Sequence, residues 1–398
     1  MAARPRVCLK ISVTWSSGLS PDPTARPGLY LHIPFCRRKC PYCDFYSRAD
    51  RVELIPDYHL LLTRQLELFV AEGWDQPFET VFFGGGTPSL LSAKQVATVL
   101  EAAAAEPGLT ADAEISLEVN PGTIEASDLS ELCRAGANRL SIGVQSFDDA
   151  RLRQLGRLHD AAGAIGAVDQ ARRAGFNNIS IDLMFALPNQ TVEELEADLG
   201  SALSLETEHL SIYGYSLEEG SAWAGRPDRA PVDEEIYARM YEILHERLDQ
   251  AGFRHYEISN FARPGRECRH NLGYWRRRPS LGLGAGAHGF QASGWGRRFW
   301  TPPDLDRFAT ALERGENPAA DLECFDREGA MREYVYLALR TADGIDEDEF
   351  VSRFGIAFDE FFSEPLQKLS GRMEREAGRW YLPWKSWLVY DRLVAQFL

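Results

Sequence analysis

Three closely spaced cysteines are the residues of this sequence whose types and spacing most directly predict chemistry. Cys36, Cys40 and Cys43 form a Cys-x3-Cys-x2-Cys array within the segment YLHIPFCRRKCPYCDFY, residues 30–46. Thiolates are the usual protein ligands of iron–sulfur clusters, and three of them can hold three irons of a cubane cluster. The array therefore predicts a 4Fe-4S cluster whose fourth iron is open to a small-molecule ligand.

Two other interpretations of the array stay open at this point. A structural zinc site needs four closed ligands, but the remaining cysteines stand singly, at Cys8, Cys133, Cys268 and Cys324. A redox pair formed by Cys40 and Cys43 is the second alternative. It leaves Cys36 unexplained, so the cluster is the favoured interpretation.

Composition limits the classes of function. The chain has 398 residues, of which 44% are hydrophobic and 26% charged, and its formal net charge is -16. This length predicts two domains, or one large domain with an appendage. The acidic balance argues against a nucleic-acid partner, because such partners are bound largely by Lys and Arg. No apolar run is long enough to span a membrane, and seven cysteines without paired spacing favour a cytoplasmic location.

Short β-rich runs alternate with amphipathic helical patterns over the first half of the chain. Capping-box pairs, Ser92 with Gln95 and Thr191 with Glu194, mark the starts of two of the helices. Alternation of this kind gives right-handed βαβ units and a parallel sheet. Six units predict an α/β fold, a partial (β/α)6 barrel, with functional groups on the loops after the strands. The six predicted strands are 29–33, 80–83, 114–119, 139–144, 178–183 and 209–213.

The remaining segments predict an appended domain. Residues 1–27 are interpreted as a flexible extension, within which 7–15 could form an edge strand, and 28–300 as the barrel. A long helix is predicted over 232–251, and a Gly- and Arg-rich segment follows it. Residues 304–398 are predicted to form a mainly helical, winged-helix-like domain, with helices at 325–340, 346–354 and 359–370, a hairpin at 379–384 and a final helix. Its acidic residues favour packing or partner docking over DNA binding.

Polar or glycine residues follow each later strand. They include the triple glycine 84–86 with Thr87, and then Glu118, Gln145, Arg157 and Asp182. Glycines allow close backbone approach to a ligand, although a simple turn is the alternative. Glu118 could accept ribose hydroxyls or cap a helix. An acid inside an apolar strand is costly unless paired, so Arg157 is the expected partner of Asp182.

Seven motifs in order make this sequence resemble the radical S-adenosylmethionine (SAM) family over residues 28–345. Within that family it is similar to the oxygen-independent coproporphyrinogen III oxidase-like group and its HemW-type haem chaperones. The motifs are YLHIPFC (30–36), CPYCDF (40–45), GGGTPS (84–89), EVNPG (118–122), IGVQSF (142–147), DLMFALP (182–188) and HNLGYW (270–275).

The resemblance implies specific ligands and partners. Cys36, Cys40 and Cys43 would ligate a 4Fe-4S cluster, and an electron donor would reduce it. The cluster would pass one electron to SAM, which would break to methionine and a 5′-deoxyadenosyl radical. The residues implied to line the SAM site are Tyr30, Gly85, Gly86, Thr87, Glu118, Gln145, Arg157 and Asp182. His32 is expected to orient the cluster loop. The basic run (Arg37, Arg38 and Lys39) is expected to be a solvated face, or else to dock an acidic electron donor.

Two departures separate this chain from the oxidases of the group. Those enzymes carry a further cysteine where Phe45 stands, and a different N-terminal region. The HNLGYW segment indicates instead a haem chaperone that delivers haem to an acceptor protein, with respiratory haemoproteins as one candidate. His270 could ligate haem iron, although a structural, hydrogen-bonded histidine is the alternative. Tyr274 and Trp275 could contact the macrocycle, and the arginines at 276–278 its propionates. Radical decarboxylation by a coproporphyrinogen oxidase remains the second hypothesis.

Overall fold

The computed structural model describes residues 26–123 and 126–398. The predicted extension at 1–27 and its edge strand therefore fall almost wholly outside the described residues. The strands are β1 Gly28–Ile33, β2 Phe78–Gly85, β3 Leu109–Val119, β4 Arg139–Gln145, β5 Ile179–Phe185, β6 His209–Gly214, β7 Arg254–Glu257, β8 Asn260–Ala262, β9 Ser280–Leu283, β10 His288–Gln291, β11 Arg297–Trp300, β12 Ala320–Cys324, β13 Ile345–Asp346, β14 Glu374–Glu376 and β15 Arg379–Tyr381.

Helices connect most of these strands. They are α1 Ile55–Ala71, α2 Ala93–Ala105, α3 Ala126–Arg134, α4 Asp149–Gln154, α5 Ala161–Arg173, α6 Val192–Ser204, α7 Glu234–Gln250, α8 Arg269–Trp275, α9 Leu305–Glu313, α10 Arg327–Ala338, α11 Glu347–Phe354, α12 Phe358–Phe361, α13 Ser363–Lys368 and α14 Tyr390–Val394. Short 3-10 turns occur at Val52–Leu54, Pro88–Leu90, Pro227–Arg229 and Trp384–Val389. Among the described residues, none of the helices combines the length and apolar character needed to cross a bilayer.

Six parallel strands form the centre of the large sheet. Strands β1 to β6 lie side by side in chain order, and each pairs in parallel with the next. The barrel is open because β1 pairs with β9 on its other side, and β6 pairs with β8. The predicted partial (β/α)6 barrel is confirmed. Because all six strands run in the same direction, the loops after them meet at one end of the barrel.

Local sequence explains why these elements form. Both predicted capping boxes are present: the side chains of Ser92 and Thr191 accept hydrogen bonds from the backbone of Gln95 and Glu194, whose side chains bond back. The helix predicted over 232–251 is α7, with Asp233 as its N-cap. The parallel strands are almost continuously buried, as β4 shows, because helices cover their outer face.

The flanking strands were not predicted. β7 to β12 have only three to five residues each, and they extend the sheet at both edges. Their segment is rich in glycine and arginine and carries no clear alternation of apolar residues, so periodicity gave no signal there. Their pairing is decided by the neighbouring barrel strands.

The C-terminal region is mainly helical with a small antiparallel sheet, as predicted. The hairpin predicted at 379–384 lies instead at 374–381, where β14 pairs with β15. The sheet has the order β13-β15-β14. The helix predicted over 359–370 is interrupted at Phe362, which separates α12 from α13. Most of the buried apolar residues described belong to one cluster that extends from Leu29 of the barrel to Phe397 near the end of the chain. Backbone bonds from Ile258 to Arg340 (3.2 Å) and from Ala342 to Tyr256 (2.9 Å) fasten this region to the barrel. The domain boundary at 300–304 stays a prediction.

Candidate functional site

The three cysteines lie in a loop that follows β1 and is closed at its base by the backbone. The amide of Cys36 donates to the carbonyl of Arg48 (3.1 Å), and the amide of Arg48 donates to Pro34 (2.7 Å). A tight turn brings the amide of Cys43 to the carbonyl of Cys40 (3.2 Å). All three thiols are free and half-buried. The loop therefore presents its thiols on a fixed frame at the carboxyl end of the barrel strands.

The basic run fastens this loop to its neighbours. Arg37 Nη1 donates to the carbonyl of Gly122 (3.1 Å), and Arg38 Nε donates to the carbonyl of Gly156 (3.1 Å). Lys39 Nζ donates to the carbonyl of Phe45 (3.1 Å) within the loop. The three side chains are exposed, as expected for a solvated face. The two arginines also hold the cysteine loop against the loops after β3 and β4, which the sequence did not indicate.

His32 and the triple glycine support the loop from inside. His32 Nε2 donates to the carbonyl of Tyr46 (2.9 Å), so it orients the loop as predicted. A Cβ on Gly86 would lie 2.6 Å from the carbonyl oxygen of Phe35, and one on Gly85 (φ +115°) would lie 2.7 Å from the His32 ring. These glycines are needed because β2 passes directly under the cysteine loop.

A cavity of about 570 Å³ opens beside the thiols. It brings together ten of the twelve predicted site residues, but Tyr30 and His270 do not line it. The predicted residues that line it are Cys36, Cys40, Cys43, Gly85, Gly86, Thr87, Glu118, Gln145, Arg157 and Asp182. Tyr30 lies within the barrel, where its hydroxyl donates to His32 Nδ1 (3.0 Å). Tyr30 thus supports His32 in the described conformation and does not face the cavity.

A chain of polar contacts joins two of the cysteines across the cavity. Thr87 Oγ1 donates to Cys36 Sγ (3.6 Å), and Asn120 Nδ2 donates to Thr87 Oγ1 (3.0 Å). Arg157 donates one Nη2 hydrogen bond to Asn120 Oδ1, and its Nη1 lies 3.8 Å from Cys40 Sγ. Asn120 was not among the predicted site residues. Its place directly after β3, in the EVNPG motif, was the available signal.

Two of the carboxyl groups that line the cavity, those of Glu118 and Asp182, are desolvated and have no cationic partner in direct contact. Burial, and then the charge of Asp182, raise the pKa of Glu118 to about 8, and one backbone amide, that of Gly85, donates to it (3.1 Å). Burial also raises the pKa of Asp182, whose Oδ1 accepts from Ser141 (2.8 Å). The predicted pairing of Asp182 with Arg157 is wrong. The guanidinium of Arg157 instead donates hydrogen bonds to Asn120 Oδ1 and to the carbonyl of Gly143 (2.6 Å).

Gln145 sits at an irregularity of the sheet. The register of β4 against β5 shifts between Gly143 and Gln145, and Gln145 has a left-handed backbone conformation (φ 73°). A Cβ on Gly143 would lie 2.9 Å from Asn120 Oδ1 and 3.2 Å from Gln145 Nε2. The glycine therefore allows these two amide side chains and Arg157 to gather at the cavity wall. Bulges often redirect side chains beside functional sites.

The donor set fits the cluster and the SAM that the family implies. Three free thiols border one cavity. Burial and then the charges of Cys40 and Cys36 raise the pKa of Cys43, as expected for thiols that share a site. Two desolvated carboxyl groups favour a ligand with positive charge and hydroxyl donors. A sulfonium nucleoside has both.

His270 lies at the opposite end of the barrel. Its ring nitrogens are hydrogen-bonded to Thr80 Oγ1 (2.7 Å, Nδ1) and Tyr274 OH (2.8 Å, Nε2), and only 3% of the residue is exposed. Burial and then the charge of Arg139 lower its pKa to about 3. The space beside the ring is about 10 Å³. Haem ligation by His270 stays a prediction, and ligation through Nε2 would require its hydrogen bond to Tyr274 to break.

The arginines and the tryptophan that follow His270 also already have partners within the protein. Arg277 is buried in an ion pair with Glu333 (2.5 Å), and Arg276 lies 3.3 Å from Asp343. Arg278 faces the small space and pairs with Glu79 (3.2 Å). Of the three arginines expected to meet propionates, only this one borders the space beside His270, among the residues described. The Trp275 ring, expected to contact the macrocycle, is covered by the guanidinium of Arg340 at 4.4 Å.

Comparison with protein families agrees with this fold and site. A model of the radical SAM superfamily matches residues 30–202, and a model of the HemN C-terminal domain matches residues 325–389. The solved structure of coproporphyrinogen III oxidase (HemN) from Escherichia coli superimposes with a TM-score of 0.81, covering 96% of this chain and 91% of that chain at 23% identity. That likeness concerns the fold. An open βα barrel with a three-cysteine loop after its first strand defines a radical SAM protein.

Relatives that match this chain over nearly their whole length identify its family within the radical SAM proteins. Proteins named heme chaperone HemW are 44% identical in Escherichia coli (93% of this chain, 97% of the relative) and 33% identical in Bacillus subtilis (93% and 98%). The relative of that name in Mycobacterium tuberculosis is 35% identical, covering 96% of this chain and 97% of the relative. The chain belongs to the HemW family of the radical SAM superfamily, which confirms the resemblance inferred from its motifs.

Proposed function

We propose that this chain is a haem chaperone that binds haem and passes it to an acceptor protein. In this proposal Cys36, Cys40 and Cys43 hold a 4Fe-4S cluster, and SAM binds in the adjoining cavity. The observation that carries the proposal is the 44% identity, across 97% of its length, to an Escherichia coli protein named heme chaperone HemW. The cavity, with its three free thiols and two desolvated carboxyl groups, supports the cofactor part.

In this proposal some residues of the cavity would bind SAM and others would stabilise the thiolate ligands. Glu118 and Asp182 would accept hydrogen bonds from hydroxyl or amino groups of SAM, because both are desolvated and in need of donors. Thr87 and Arg157 would donate to thiolate ligands, which stabilises their negative charge. When bound, the cluster and SAM together supply one-electron cleavage of a carbon–sulfur bond, which the enclosing barrel would protect from water.

Electron delivery and haem delivery require partners. The basic run stands exposed between cluster ligands, while the whole chain carries a net charge of -16. A local positive patch on an acidic protein would direct an acidic electron donor toward the cluster loop. In this proposal the haem acceptor is a second protein. The need for reduced thiols fits the predicted cytoplasmic location.

An oxygen-independent coproporphyrinogen III oxidase is the second candidate function. The observation in its favour is the fold, which matches the Escherichia coli oxidase over 96% of this chain. The observation against this function is Phe45, which stands where those oxidases carry an additional cysteine. Phe45 lines the cavity and is 69% exposed, so an apolar ring takes the place of that thiol.

One anaerobic experiment distinguishes the two candidate functions, haem chaperone and coproporphyrinogen III oxidase. The full chain is reconstituted with iron and sulfide, its iron is counted, and one sample is titrated with haemin and then mixed with an apo-haemoprotein. We expect four irons per chain, saturable haemin binding and transfer to the acceptor. A second sample receives coproporphyrinogen, reductant and SAM. Decarboxylated product without haemin binding would show that the oxidase function is correct and the chaperone function wrong. Protein that stays colourless after reconstitution would contradict the proposed cluster.

A further inference from the structure

The cavity contains a histidine that neither the cluster nor the SAM proposal uses. His159 lines the cavity, and its Nε2 lies 3.1 Å from the carbonyl oxygen of Val144. A carbonyl only accepts, so the ring hydrogen is on Nε2. Burial and then the charge of Arg157 lower the pKa of His159 to about 4. At neutral pH the ring is therefore uncharged, with a lone pair on Nδ1.

This arrangement is the one expected of a metal-binding histidine. The ligating form is the neutral imidazole, and ligating histidines usually donate their other ring N–H to a carbonyl or carboxylate, which fixes the tautomer. Among the described residues, Nδ1 of His159 makes no hydrogen bond. His270 differs, because both its ring nitrogens are bonded and it adjoins about 10 Å³ of space instead of 570 Å³.

The surroundings of His159 suit a flat, apolar ligand. Two large side chains line the cavity and yet are unusually exposed: Phe45 (69%) and Leu158 (59%). We call them the apolar rim. Exposed apolar patches of this kind mark binding sites for ligands or partners. The basic run also lines the cavity, and its cations complement carboxylates on the edge of such a ligand.

We propose that haem docks across the mouth of this cavity with His159 Nδ1 as an axial ligand of its iron. The macrocycle then covers the apolar rim, and the propionates face the basic run. The inference rests on the proposed haem-chaperone function and assigns its binding site. Ligation forms one dative bond from the Nδ1 lone pair to iron. No proton has to leave, because the ring is already neutral with its hydrogen on Nε2.

This placement has a functional consequence. Haem at the cavity mouth lies next to the cluster loop and encloses whatever is bound deeper in the cavity. Occupation of the SAM site can then affect haem affinity through direct contact, since both ligands share one cavity. A haem bound at His270, at the far end of the barrel, has no such contact with the SAM site.

The test is a haemin titration of the reconstituted full chain, followed by absorbance in the Soret region and by electron paramagnetic resonance. His159→Gln keeps a donor for Val144 but loses the iron ligand. We expect a changed iron spin state and at least about tenfold weaker binding. His288→Ala serves as a histidine control outside the cavity. Leu158→Glu is a second variant, expected to weaken binding because its charge opposes the apolar ring and the propionates.

Each outcome has a defined meaning. His159→Gln with wild-type spectra and affinity would overturn the inference while leaving the proposed function intact. Loss of the haem spectrum only in a folded His270→Ala variant would assign the ligand to the other end of the barrel. Wild-type protein that takes up no haemin would overturn the proposed function, and this inference with it. Restoration of the spectrum of His159→Gly by added imidazole would support direct ligation.

Discussion

Arg157 Nη1 lies 3.8 Å from Cys40 Sγ, although the two residues are 117 positions apart in the chain. The same guanidinium donates to Asn120, whose amide donates in turn to Thr87, next to Cys36. One half-buried cation thus lies in a hydrogen-bond network that reaches two of the three cysteines of the loop, Cys40 directly and Cys36 through Asn120 and Thr87. Hydrogen bonds and a nearby positive charge stabilise thiolates, so we expect this network to stabilise Cys36 and Cys40 as ligands of the proposed cluster.

Replacing Arg157 tests this network. Arg157→Gln removes the charge near Cys40 and the bond to Asn120, each worth about 1.5–3 kcal/mol for a charged group. We expect faster loss of iron from the reconstituted protein on exposure to air and a lower cluster potential. Iron counting and potentiometric titration measure the two effects. Arg153→Gln, an exposed arginine of the nearby helix α4, is the matched control. Equal iron retention in both variants would mean that the network has no part in holding the cluster.

Individual cysteine variants test the assignment of the cluster ligands. Cys36→Ser, Cys40→Ser and Cys43→Ser should each reduce the iron retained after reconstitution to a minor fraction of the wild-type content, because each removes one of three anchors. Cys133→Ser, which alters a free, half-buried thiol elsewhere in the barrel, should retain the full content. A cluster that survives loss of Cys36 but not of Cys133 would contradict the assignment.

The raised pKa of Glu118 predicts a pH dependence of ligand binding. Below about pH 8 the carboxyl is protonated in the free protein, whereas a cationic ligand favours the carboxylate. Binding of SAM should therefore release a proton below pH 8, and its affinity should increase as pH rises toward 8. Calorimetry in buffers of different ionisation enthalpy measures the released proton. The Glu118→Gln variant should release less, and an unchanged release would exclude Glu118 as its source.

The same group predicts a stability effect in the ligand-free protein. The folded pKa of about 8 is raised above the usual value of 4.5. Between these pH values the Glu118 carboxyl is ionised in the unfolded chain but protonated in the folded chain. The contribution of Glu118 to the free energy of unfolding is therefore full below pH 4.5 and is lost as pH rises toward 8. Urea unfolding at several pH values should show Glu118→Gln losing less stability over this interval than the wild type.

His270→Ala tests the structural role that the described contacts give to this residue. It leaves the hydroxyls of Thr80 and Tyr274 without their buried partner, and each unsatisfied group costs about 1–3 kcal/mol. We expect the free energy of unfolding to fall by about 2–4 kcal/mol in urea denaturation. His288→Ala, at an exposed position, should change it by less than about 0.5 kcal/mol. A haem-binding defect in His270→Ala without any loss of stability would favour ligation at His270.

The sequence by itself determined the barrel and most of the side chains that meet at its carboxyl end. The six parallel strands follow from local patterns, because a buried strand and an amphipathic helix each show their periodicity within a few residues. The cysteine array is also a local feature, since Cys36, Cys40 and Cys43 lie within eight positions, and its place beside the cavity follows from its position after β1. The side chains after each strand were found for a similar reason: parallel strands bring their ends together whatever lies between them.

Only the tertiary structure decided how distant side chains pair. It placed Arg157 on Asn120 instead of Asp182, and it enclosed His270 at the far end of the barrel while leaving Nδ1 of His159 free of hydrogen bonds among the described residues. The short edge strands were decided in the same way. Hydrogen-bond partners and burial depend on distances between segments separated by tens to hundreds of residues. No pattern within a single segment encodes those distances, so they become visible only when the sheet brings the segments together.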